Sequence, residues 1–113
     1  MLRIKSGSTG CRIAGLELPA WIAVYIATEV YQKLGQDFLW TCGTDSKHMA
    51  GSLHYVGLAI DGGLPTPDTK VAIVAALKDR LGDDYDVVEE PSAVGGPHIH
   101  IEFQPKRGVN LAV

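Results

Sequence analysis

Residues 97–103 read Pro97-His98-Ile99-His100-Ile101-Glu102-Phe103. Ile99 to Phe103 is short and rich in β-branched and aromatic residues, the composition of a strand. Successive side chains of a strand point to opposite faces, so His98, His100 and Glu102 share one face. Two imidazoles and a carboxylate in line are unusual cargo for a core strand. Three further strand candidates have similar composition: Phe38 to Cys42, Leu58 to Asp61 and Tyr85 to Glu90. The N-terminal run Met1 to Ser6 alternates apolar and polar residues and reads as one more.

Two segments have the 3–4 spacing of helices instead. Residues 19–34 place Ala23, Ile26, Ala27, Val30, Tyr31 and Leu34 in phase, with Pro19 in the opening turn and Gly35 just past the end. Residues 68–81 place Val71, Val74, Leu77 and Leu81 in phase, preceded by Thr66 and Pro67 and followed by Gly82. The order of elements predicts an α+β domain, two main helices packed on a small, mostly antiparallel sheet.

The chain has 113 residues, one domain's worth, so residues 1–113 are read as a single unit whose function sits on one core. A hydrophobic fraction of 46% with 20% charged residues is that of an ordinary globular protein. Net charge is −3 and the longest basic run is Lys106-Arg107, so nucleic acid is not an expected partner. The most apolar stretch, Leu18 to Ala27, falls far short of the ~20 residues of a membrane span, and no membrane partner is expected. The N-terminus lacks a signal peptide's apolar block, which predicts cytoplasmic synthesis. Cys11 and Cys42 show no C-x-x-C spacing and read as buried thiols.

All four histidines fall in or just after two polar loops: His48 and His54 in one region, His98 and His100 in the other. Asp61 ends the apolar run Val56-Gly57-Leu58-Ala59-Ile60, where an unpaired carboxylate would be strongly unfavourable. Taken singly, each has an ordinary reading. A histidine beside a strand is usually hydrogen-bonded or on the surface, and Asp61-Gly62-Gly63 is a turn signal in its own right. Jointly, His54, Asp61 and His100 offer imidazole and carboxylate from separate strands, three ligands with a position left open, as in a catalytic zinc site. His54 and Asp61 are seven residues apart and would face opposite ways on an unbroken strand; Gly57 supplies a place for the chain to bend.

Ser52-Leu53-His54-Tyr55-Val56-Gly57-Leu58-Ala59-Ile60-Asp61 resembles the S-x-H-x-x-G-x-A-x-D motif of zinc D-alanyl-D-alanine carboxypeptidases and phage L-alanyl-D-glutamate endopeptidases. Pro97 to Phe103 resembles the H-x-H strand of the same families, whose fold is similar to that of Hedgehog signalling domains. The resemblance spans about Gly15 to Pro105. It implies a Hedgehog/D,D-peptidase-like fold, with Zn2+ held by His54, Asp61 and His100. It also implies an acidic general base in Val87-Val88-Glu89-Glu90, with Glu90 chosen and Glu89 the alternative. His48 and His98 would hydrogen-bond the substrate carbonyl or the oxyanion, and Glu102 could orient one of the strand histidines.

The expected function is therefore a zinc-dependent peptidase cutting an amide bond in peptidoglycan stem peptides. Lack of a signal peptide fits a phage or prophage product that reaches the wall after release, or one built into a virion beside tail proteins. The alternative from another class is a non-catalytic structural or binding module that keeps the fold, with or without the zinc.

Overall fold

A computed structural model describes residues 1–5, 11, 13–42, 57–90 and 97–105. The chain runs β1 (Leu2–Ile4), α1 (Leu18–Lys33), β2 (Phe38–Cys42), β3 (Ala59–Gly63), α2 (Lys70–Leu81), β4 (Tyr85–Glu90) and β5 (His98–Phe103). The five strands form one sheet in the order β1-β2-β3-β5-β4. The α+β class with two helices follows the expectation, but the sheet is mixed. β1 lies parallel to β2, while β2–β3, β3–β5 and β4–β5 are antiparallel. The parallel pair is a consequence of the intervening helix, since a strand–helix–strand connection returns the chain in the same direction.

Period-two alternation divides the sheet into two unlike faces. Phe38, Trp40, Ile60, Val87, Ile99 and Ile101 are buried on one face, in a single cluster with Ala20, Ala23, Val24, Ala27, Val30 and Tyr31 of α1 and Ile73, Leu77 and Leu81 of α2. Both helices therefore cover this face. Tyr31 fixes α1 to it, stacking edge-on against Phe38 at 4.9 Å between ring centres and donating its hydroxyl to the Gly63 carbonyl at 2.7 Å. The opposite face carries the partners at matching register positions: Asp61 beside His100, and Glu90 beside His98.

Element ends are set by the residues expected to set them. Pro19 lies in the first turn of α1, and Gly35, with φ of +77°, follows its end. Gly82 caps α2 with φ of +79° and donates its N–H to Lys78 at 3.0 Å. α2 starts at Lys70, two residues later than its spacing suggested, because Thr66 to Thr69 form a separate turn whose Thr66 N–H is bonded by Gln36.

Two glycines carry real constraints. Gly57 has φ of +76°, and a Cβ there would run into the Gly15 carbonyl; its own carbonyl accepts from Glu17 N–H at 2.9 Å. The expected break before Asp61 thus exists, and it ties the entry to β3 onto the segment leading into α1. Gly62 lies under the Phe38 ring, where a Cβ would overlap ring carbons. Asp61-Gly62-Gly63, a turn signal in sequence, is instead the second half of β3, with glycine used to admit an aromatic ring. Among the described residues, no helix is long and apolar enough to cross a membrane.

The two-faced sheet predicts unequal costs for neighbouring truncations. Ile101→Ala, in the helix-covered face, should lower unfolding free energy by about 2–5 kcal/mol in denaturant titration. Val88→Ala, on the other face and 46% exposed, should cost within about 0.5 kcal/mol. Equal losses at the two positions would contradict the assignment of faces.

Candidate metal centre

Asp61 sits mid-strand in β3, flanked by β2 and β5, and only 7% of its surface is exposed. A carboxylate so placed needs partners, and two histidines of β5 supply them. His100, directly across the ladder, brings Nδ1 to 2.8 Å from Asp61 Oδ1. His98 brings Nε2 to 3.5 Å from Asp61 Oδ2 and 3.4 Å from Glu90 Oε1. Glu90 Oε1 also lies 3.6 Å from His100 Nδ1. On its other side, the His100 ring meets Glu102 Oε1 at 2.7 Å through Nε2.

Strand alternation separates the two glutamates that the sequence left as alternatives. Glu90 pairs with His98 across the β4–β5 ladder and reaches the cluster. Glu89 points to the helix-covered side, where Lys70 of α2 meets it at 3.1 Å. Of the other residues singled out from sequence, His48 and His54 lie outside the described residues. Asp61, Glu90, His98 and His100 are brought together.

The electrostatics of the cluster favour a cation. Asp61, Glu90 and Glu102 face two imidazoles, so net negative charge remains even with both rings protonated. Asp61, Glu90 and His98 each offer one ligand atom, and these three atoms lie within 4.8 Å of one another. Donors at zinc-ligand distances of about 2.0–2.2 Å in a tetrahedron stand about 3.3–3.6 Å apart. The contacts His98–Asp61, His98–Glu90 and His100–Glu90, at 3.5, 3.4 and 3.6 Å, are already near that spacing. The 2.8 Å contact between His100 and Asp61, both read as ligands, would have to open. The residues therefore fit a metal ion in donor type, and Asp61, Glu90 and His98 also fit one in spacing.

His100 shows what the cluster does to a bound proton. Burial disfavours its charged form, but the hydrogen bonds and charges of Asp61 and Glu102 outweigh that cost and push its pKa up to about 9. A divalent ion would replace this proton as the positive charge between the ring and Asp61.

The strand that carries His98 and His100 continues the same pattern past Glu102. Gln104, with its amide nitrogen turned toward the carboxylates, donates to Glu102 Oε2 at 3.1 Å and to Asp86 Oδ2 at 2.8 Å. Neither Gln104 nor Asp86 was singled out from sequence. The available signal was parity, since positions 98, 100, 102 and 104 share one face of an extended chain. Compared with protein-family models, with curated proteins and with solved structures, the chain gives no match.

The His100 shift sets a pH dependence for the metal-free chain. Its folded-state pKa lies above the ordinary 6.5, so the stabilisation is fully present below about pH 6.5 and is lost as pH rises through about 9. Denaturant unfolding in a chelator should show stability falling over that window by at most about 3 kcal/mol. His100→Gln should flatten the profile. A wild-type stability that is constant or rising between pH 6.5 and 9 would contradict the protonated His100–Asp61 pair.

Proposed function

We propose that this chain is a zinc peptidase of the Hedgehog/D,D-peptidase type, hydrolysing an amide bond in bacterial peptidoglycan stem peptides. The observation that carries this reading is the convergence of Asp61, Glu90, His98 and His100 from three strands onto one face, where each imidazole lies 2.8–3.6 Å from both carboxylates. The two motifs quoted above agree with it, because their ligand and base positions include these same residues.

Asp61 and His100 would hold the zinc together with His54. When bound, the ion would supply a Lewis acid for the scissile carbonyl and lower the pKa of water from 15.7 to about 7. Glu90 acts as general base. Its side chain is 42% exposed, far more than that of Asp61 or either strand histidine, so it stands where water reaches the cluster. His98, beside Glu90, donates a hydrogen bond to the carbonyl oxygen as negative charge develops there, and His48 assists. The protein works on the wall after release from the cytoplasm, or as a virion component.

A second ligand set deserves a test, because Asp61, Glu90 and His98 are close enough to bind a metal by themselves. In that case Glu90 is a ligand and not the base.

Zymography on bacterial cell walls should show clearing that a chelator abolishes and added zinc restores. Asp61→Asn and His54→Ala should both lose it. Glu90→Gln separates the two ligand sets: a base role predicts about a 10²–10⁴-fold loss of hydrolysis with zinc retained, and a ligand role predicts loss of zinc as well. Clearing that survives the chelator would overturn the zinc mechanism, and stoichiometric zinc with no clearing would favour the non-catalytic alternative.

A further inference from the structure

The open face of β5 continues beyond the proposed zinc ligands, and what lies there bears on how His100 is held. His100 Nδ1 faces Asp61 and Glu90, whereas Nε2 points the other way, to Glu102 Oε1 at 2.7 Å. Glu102 is itself restrained. Its second oxygen, Oε2, accepts from the Gln104 amide at 3.1 Å, and that amide also donates to Asp86 Oδ2 at 2.8 Å. The Gln104 backbone is anchored in turn, its N–H donating to the Asp84 carbonyl at 2.7 Å. Glu102 thus meets the ring with one oxygen and a neutral donor with the other.

An imidazole has two ring nitrogens, and a metal can take either unless something else occupies one of them. A carboxylate accepting the far N–H fixes the ring's orientation and tautomer and makes the near nitrogen a better donor. We infer that Glu102, steadied by Gln104, is a positioning residue that commits His100 to present Nδ1, and not Nε2, to the metal. This rests on the metal-centre reading for its functional meaning, but the ring geometry itself can be tested without metal. Glu102 touches neither Asp61 nor Glu90 in any contact described above, so its effect passes through His100.

The test uses the full chain with 15N-labelled histidine, as wild type, Glu102→Gln and Glu102→Leu. Gln keeps an acceptor oxygen with no charge; Leu keeps the bulk with no acceptor. In the metal-free chain, wild type should show a His100 Nε2–H resonance protected from exchange, retained in Glu102→Gln and lost in Glu102→Leu. With zinc added, competition against a chromogenic chelator should show affinity reduced about 10–100-fold in Glu102→Leu and less in Glu102→Gln. The nitrogen spectrum should report metal on Nδ1 in wild type. An unchanged Nε2–H resonance in Glu102→Leu, or metal on Nε2 in wild type, would overturn the positioning role. If wild type binds no zinc while the Nε2–H result holds, the metal-centre reading falls and the role of Glu102 in orienting the ring stands.

Discussion

A carboxylate in an inner strand of a sheet, 7% exposed, has to be met by hydrogen-bond donors or cations, and Asp61 is met by two imidazoles. That requirement organises the face around it. His100 must stand directly across the ladder, which fixes the β3–β5 register, and His98 follows two residues away on the same side. With Glu90 and Glu102 added, carboxylates outnumber rings, and the face stays negative. Protons satisfy part of this; His100 holds one to about pH 9. A divalent ion would satisfy it more fully, once the 2.8 Å contact between His100 and Asp61 opened to admit it.

The cluster depends equally on the face it does not use. Ile99 and Ile101 alternate with the histidines and are buried in the helix-covered core, so β5 is held by burial while its other side is left for polar groups. Phe38 packs against Gly62, the residue after Asp61, and Tyr31 ties α1 to Gly63. Asp61 is therefore carried on a stretch of strand fastened on its far side. Rigid backing of this kind is what a metal or catalytic constellation needs, since small displacements of ligands cost affinity and rate.

Much of this was legible in the sequence, for identifiable reasons. The helices were readable because their apolar spacing is regular and Pro19, Gly35 and Gly82 mark the ends. The histidine strand was readable from alternation alone, and the same rule, applied to β4, separates Glu90 from Glu89 once the strand's inward side is known. What escaped depended on pairing at long range. Three of the four strand pairings are antiparallel, as expected, and the one that departs is the parallel β1–β2 pair, for which the helix between the two strands was the available signal. Asp61-Gly62-Gly63 reads as a turn because its glycines fit one, and within the strand the Phe38 ring explains Gly62. Gln104 was missed because a glutamine at a strand end carries no chemical signal until its carboxylate neighbours are placed.

Zinc binding on the open face of the sheet, as proposed, would use nitrogen and oxygen donors. X-ray absorption on the zinc-loaded chain tests it most directly. We predict one zinc per chain with a first shell of nitrogen and oxygen at about 2.0–2.2 Å and the outer-shell scattering of imidazole. A first shell containing sulfur at about 2.3 Å would place the ion on cysteine instead, and failure to retain stoichiometric zinc would contradict the metal centre altogether.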